Sequence, residues 1–154
     1  MRFGRFAVPN LTSEMSNYKF EIGKGVLYRE GKDVTIVANG YMVHLAVEAA
    51  EMLAAEGIDA EVINIHTIKP IDAELIVASA SKTGAVVTAE EHSVIGGLGS
   101  AVCDVLSENC PVPVIKVGVN DEYGRSGKVP ELLEIYGLTA KNIYEKAKIA
   151  VSKK

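Results

Sequence analysis

Apolar positions along this chain change their spacing several times, and each change marks an element. Residues 1 to about 20 have no period; Pro9, Asn10, Thr12, Ser13 and Asn17 interrupt them, which predicts an extended arm or linker. "GVLYRE", from Gly25, is a short strand, and Gly31-Lys32 turns it into a second, "DVTIVANG", which carries Val34, Ile36 and Val37 and ends at Asn39-Gly40. The spacing then becomes helical. Leu45, Ala49, Met52 and Leu53 fall at i, i+4, i+7 and i+8, with Glu48 and Glu51 off the stripe, and Gly57 is placed to end that helix. "AEVINI" is a third strand, followed by the loop "HTIKPID", whose Pro70 and Asp72 start a second helix running through Ser79. Gly84 leads into "AVVTAEE", a strand apolar enough to be buried on both faces. The helix "GSAVCDVLSE" and a fifth strand, "VPVIKVGV", come next, with Pro111 and Pro113 at the strand's entrance.

Two helices close the chain. "VPELLEIYG" has Pro130 in its first turn and Gly137 at its end. The last has Thr139 as N-cap, Leu138 placed to staple onto Ile143, and a core stripe of Ile143, Ala147, Ala150 and Val151. Strands alternating with helices predict a mostly parallel sheet covered on both faces. The first two strands are too close for a crossover helix, so they are expected to pair as a hairpin, leaving one edge strand antiparallel. The predicted fold is α/β: a three-layer α/β/α sandwich with a mixed five-stranded sheet.

Composition narrows the function classes. A length of 154 residues suits one compact domain rather than two. A net charge of -4, with acids and bases spread along the chain, argues against a nucleic-acid partner. No apolar run approaches the roughly 18 residues that span a bilayer, so no membrane partner is expected. The start, "MRFGRFAVPN", lacks the apolar region of a secretion signal, and a cytoplasmic location is expected. Cys103 and Cys110 do not form a CxxC pair and read as small, mostly buried apolar side chains.

Candidate chemistry concentrates in "TAEEHSVIGGLGSAVCDVL". From Gly97 the glycine pattern is G-x-G-x-x-V, with Val102 at the third position, and the loop follows the fourth strand rather than the first. No suitably placed acid ends the next strand either, so all three requirements of a dinucleotide fingerprint fail. The structural reading is that the glycines permit a sharp turn and close helix packing, with Gly97 or Gly99 a candidate for a positive-φ corner. Glu90, Glu91 and His92 sit where parallel sheets place their sites, but successive strand residues face opposite sides, so the two glutamates do not converge on one atom. His44, His66 and His92 lack zinc-ligand spacing, and no serine or cysteine sits on a nucleophile elbow. Glu90, Glu91, His92, Gly96, Gly97 and Gly99 are therefore expected to serve a corner or interface, with no catalytic and no metal-ligating residue assigned.

These motifs together carry a resemblance. "EEHSVIGGLGSAV" resembles the strand–loop–helix of the C-terminal domain shared by transketolase, deoxyxylulose-phosphate synthase and the beta subunit of 2-oxoacid dehydrogenases. "HTIKPID" and "NDEYGRSGKVPELLEIYGLTAKNI" are similar to the segments after that domain's third strand and at its close, so the likeness runs from about Phe20 to Ala147. His92, "GRSG" and "YGLT" look most like transketolase; Tyr123 stands where phenylalanine is more common, and Arg125 where a smaller or acidic residue is usual.

The resemblance implies a thiamin-diphosphate enzyme that moves a two-carbon unit between sugar phosphates, with its cofactor and a divalent metal (Mg) held by other domains. This chain has no "GDG" segment and no stretch for the family's middle domain, so it is expected to bind no cofactor alone and to be inactive alone. "RFGRFAVP" is similar to the last strand of the preceding pyrimidine-binding domain. That likeness implies an arm over 1–20 and a C-terminal domain over 21–154, in an excised piece or a separately encoded subunit. Arg5 matches an arginine that contacts the sugar phosphate. The implied partners are the cofactor-binding and pyrimidine-binding domains, in the same chain or another, in a homodimeric assembly. The same domain of a deoxyxylulose-phosphate synthase or a 2-oxoacid dehydrogenase, and a free-standing binding or assembly module, are the alternatives.

Overall fold

A computed structural model describes residues 4, 7–13, 15 and 18–154. Its elements are β1 (Val26–Arg29), β2 (Val34–Ala38), α1 (Met42–Ala55), β3 (Ala60–Asn64), α2 (Ala73–Thr83), β4 (Val86–Ser93), α3 (Leu98–Asn109), β5 (Val114–Val119), α4 (Val129–Ile135) and α5 (Ala140–Val151). The strands form one sheet in the order β1-β3-β2-β4-β5. β2, β3, β4 and β5 are parallel and β1 is antiparallel, which is the expected mixed α/β sheet. One core cluster packs α1 and α5 on one face; the other packs α2 and α3 on the opposite face. Among the described residues, no helix is long and apolar enough to cross a membrane.

The expected hairpin is absent. β1 pairs with β3, and β3 lies between β1 and β2. The reason is the connection, which steps over the start of β3: Lys32 and Asp33 both donate their amides to the Asp59 carbonyl, at 3.0 and 2.8 Å. A side chain at Gly31 would run into the backbone of Ala60 and Glu61, so only glycine lets the chain pass that closely. Nearby, the Lys82 ammonium bridges Glu30 and the buried Glu61, tying α2 to this end of the sheet.

Local signals end the helices largely as expected. Asp72 caps α2, accepting the Leu75 amide, and its other oxygen accepts the Gly25 amide at 2.8 Å. Thr139 caps α5 through the Asn142 amide, and the staple residues Leu138 and Ile143 are both buried in one cluster. Gly57, Gly84 and Gly137 all have positive φ just beyond helix ends.

Three expectations need correction. α2 continues past Ser79 to Thr83, because Ala80 is core and the Thr83 hydroxyl is buried between Ser79 and Thr35. The buried face of α1 is Met42, Val43, Ala46, Ala49, Ala50 and Leu53, whereas Met52 is 39% exposed. Small alanines carry little weight in a hydrophobic pattern, yet they let the helix lie close to the sheet and so decide its face. Cys103 and Cys110 are free thiols and only half-buried.

Replacing Gly31 by Ala should cost about 3 kcal/mol, the upper part of the range for forcing atoms into packed space. Gly124→Ala, with nothing within 4 Å of the added carbon, should shift stability by less than about 0.5 kcal/mol. Urea denaturation of both variants is the check; equal midpoints would refute the step-over account.

Candidate functional site

β4 and α3 meet at the carboxyl end of the sheet. β4 pairs regularly with β5 from Val86 to Ala89, then shifts register so that Ser93 stands opposite Val119. Between those two pairs three residues of β4 face one of β5, Gly118, a bulge at Glu90, Glu91 and His92. Gly118 makes room for it: an added carbon there would lie 2.8 Å from the His92 carbonyl and 3.2 Å from Cγ of Glu90.

The bulge separates the two glutamates. Glu90 turns toward α3, is 1% exposed, and its carboxylate accepts the amides of Leu98 at 2.7 Å and Gly99 at 2.8 Å. Those are the first amides of α3, whose N-cap residue, Gly97, has no side chain to offer. A buried carboxylate is costly, but two charge-assisted hydrogen bonds and the positive end of the helix offset the cost. The glycine loop is therefore no open phosphate cradle; an anion built into the chain already holds it.

The glycines serve closeness more than torsion. Gly96 has φ +72°, so it is the positive-φ corner, in place of Gly97 or Gly99. Gly97 lies against the Glu90 carboxylate, and a side chain there would collide with it. An added carbon at Gly99 would stand 2.8 Å from the Thr88 hydroxyl and 2.9 Å from the Lys116 stem. Two serines missed in the sequence complete the loop. Ser100 Oγ accepts the Gly96 amide and donates to the Val94 carbonyl, and Ser93 Oγ accepts the Ile95 amide. Hydroxyls flanking a glycine turn were the available signal.

Glu91, His92 and Ser93 instead line a groove of about 370 Å³ whose other walls are Val119, Val129, Leu132, Leu133, Tyr136 and Leu138. The bulge brings Glu91 and His92 to one groove, which strict alternation forbids. His92 is exposed, and its Nδ1 pairs with the Ser93 carbonyl at 3.0 Å. Sequence reasoning missed the groove because its apolar wall comes from α4, which has no buried residue and leaves that wall open. Arg5 lies outside the described residues. Among the described residues, no three His, Cys, Asp or Glu side chains are grouped to hold a metal ion.

Residues 23–143 match the family described as "Transketolase, C-terminal domain". The chain belongs to that family. It is 55% identical over 139 residues to the 6-deoxy-6-sulfo-D-fructose transketolase subunit SqwH of Clostridium sp. (strain MSTE9), covering 90% of this chain and 43% of that protein. It is 42% identical over 147 residues to an apulose-4-phosphate transketolase subunit of Phocaeicola vulgatus, covering 96% and 46%. It is also 51% identical over 123 residues to the 1-deoxy-D-xylulose-5-phosphate synthase of Heliobacterium modesticaldum, covering 79% and 19%. The chain thus spans less than half the length of each of these transketolase-family relatives. A solved structure titled "Split gene transketolase, inactive beta4 tetramer" superposes with a TM-score of 0.90 at 56% identity, over 98% of this chain and 48% of that one. Transketolase from Leishmania mexicana, at 21% identity over 84% of this chain and 18% of that one, with a TM-score of 0.63, shares the fold.

Glu90→Gln should cost about 1–3 kcal/mol, because an amide nitrogen then faces a buried N–H that has lost its acceptor. Gly97→Ala should cost a similar amount by evicting the same carboxylate. The double variant should cost less than the sum, since both changes break one interaction. Chemical denaturation of the three variants decides it, and strict additivity would contradict the shared cause.

Proposed function

We propose that this chain is the C-terminal section of a thiamin-diphosphate-dependent transketolase and that its own role is assembly, not catalysis. The observation that carries this reading is the likeness to transketolase subunits over 90–96% of the chain, at 55% and 42% identity. The geometry supports it: the amides at the start of α3 are taken by Glu90.

In the complete enzyme, thiamin diphosphate carries the two-carbon ketol unit between sugar phosphates. The described residues do not fit that cofactor and its metal, so no step of its chemistry belongs to them. The cofactor-binding and pyrimidine-binding domains supply that site, in a homodimeric, cytoplasmic assembly. Residues 1–20 close the pyrimidine-binding domain, and residues 21–154 pack against it through Glu91, His92 and the exposed turn at Gly96, while Gly97 and Gly99 serve the corner within this domain. Arg5 presents its planar guanidinium to the sugar phosphate.

The test is the native complex captured through this domain, supplied with thiamin diphosphate and Mg²⁺. Ketol transfer from a ketose phosphate to an aldose phosphate, absent from the 154-residue chain alone, is the expected result. Condensation of pyruvate with glyceraldehyde 3-phosphate would move the assignment to the synthase branch, which the 51% identity over 123 residues favours second. A complex with no thiamin-binding polypeptide and neither activity would overturn the reading in favour of a free-standing module.

A further inference from the structure

Val129, Leu132, Leu133 and Tyr136 fall at i, i+3, i+4 and i+7 along α4 and its end, the spacing of a face that ordinarily packs on a core. Leu133 and Tyr136 do reach the core cluster of α1 and α5, yet none of the four is buried. Between them and the end of β4, where Glu91 and His92 stand, lies the open groove of about 370 Å³. At its rim is a side chain shaped to fill it. The Tyr136 hydroxyl donates to the Tyr123 carbonyl at 2.8 Å and so ties the loop over 120–128 to the groove wall. The Tyr123 ring is 96% exposed, so among the described residues it has almost no contact of its own. One patch thus carries both an aromatic knob and an apolar hole, and such a patch can pair with itself about a two-fold axis.

The polar groups of the hole suit a phenol. A carbonyl only accepts, so the His92 Nδ1 that lies 3.0 Å from the Ser93 carbonyl carries the proton of the neutral ring. Nε2 is then an acceptor. A tyrosine ring in the groove lays its apolar body on the α4 wall and has its hydroxyl to donate to that nitrogen. Charge matches as well. Arg125 follows Tyr123 by two residues, and Glu91 precedes His92 by one, so a knob seated at His92 brings a guanidinium toward a carboxylate. Within its own chain Arg125 makes one contact of 3.5 Å, to Glu122, which leaves most of its five N–H donors for that carboxylate.

We propose that the groove takes Tyr123 from a second copy of this chain, with its hydroxyl on His92 Nε2 and Arg125 beside Glu91, each copy lodging its tyrosine in the other. A buried tyrosine removes about 150–250 Å² from water, so two of them fall short of the roughly 1,200 Å² of a stable interface. The pair is therefore weak, with a Kd on the order of 100 μM. It needs no other polypeptide and does not rest on the assembly role proposed above. That role uses the same Glu91 and His92, so the two contacts exclude one another.

Sedimentation equilibrium of the 154-residue chain tests this. The chain alone should show a monomer–dimer equilibrium at concentrations up to about 0.5 mM. Tyr123→Ala, which removes the knob, and Leu132→Glu, which puts a charge in the hole, should each weaken it by about tenfold with the far-UV circular dichroism unchanged. Ile149→Glu, at an exposed apolar position on α5, should leave it unmoved. Mixing the first two variants decides the geometry. Either variant paired with itself has no intact contact, whereas the mixed pair keeps one, so the mixture should hold more dimer than either variant at the same total concentration. If Leu132→Glu does not fold, His92→Ala takes its place, leaving the α4 wall intact and weakening pairing by about fivefold through the lost acceptor. A chain that stays monomeric, a dimer that Tyr123→Ala leaves intact or Ile149→Glu weakens equally, or a mixture no more associated than its components overturns the proposal.

Discussion

The Glu90 carboxylate, 1% exposed, accepts the amides of Leu98 and Gly99 at 2.7 and 2.8 Å, so α3 begins on a side chain of the strand before it. Much of this end of the domain follows from that bond. Gly97 is required because the carboxylate occupies the space a side chain would fill, and Gly118 because the bulged strand passes directly over it. With Glu90 turned to α3, Glu91 and His92 turn together to the opposite groove. One charge, buried and paired, fixes the course of the chain for ten residues.

This arrangement explains why the acid pair, the histidine and the glycine loop, adjacent in sequence, do not share one site: Glu90 turns to α3 while Glu91 and His92 face the groove. The anion site at the start of α3 is filled from within by the Glu90 carboxylate. Beside the exposed His92, Ile95 is 63% and Tyr123 96% exposed, apolar surface suited to contact with other protein.

Much of the fold was legible because its punctuation is local. Asp72, Thr139, Gly57, Gly84 and Gly137 end their helices through contacts within a few residues, and the alternation of strands and helices sets the mixed sheet. The hairpin between β1 and β2 was misjudged because the decisive contact, Gly31 over Ala60 and Glu61, joins residues far apart in sequence. The face of α1 was misjudged because alanines define it. At the site, the divergence of Glu90 and Glu91 was legible from strand alternation. The cap itself was not, since Glu90 and its amides are eight and nine residues apart across a loop. The groove needed α4, whose placement depends on the whole sheet edge.

The most direct test of the central claim is to follow the backbone amides of Leu98 and Gly99 by nuclear magnetic resonance while inorganic phosphate, then thiamin diphosphate, is added. The account predicts slow hydrogen exchange at both amides and no saturable shift with either anion, because Glu90 already occupies the site. Fast exchange at both, or a saturable shift centred on them, would mean that the loop is an open anion site and that Glu90 is not its permanent occupant.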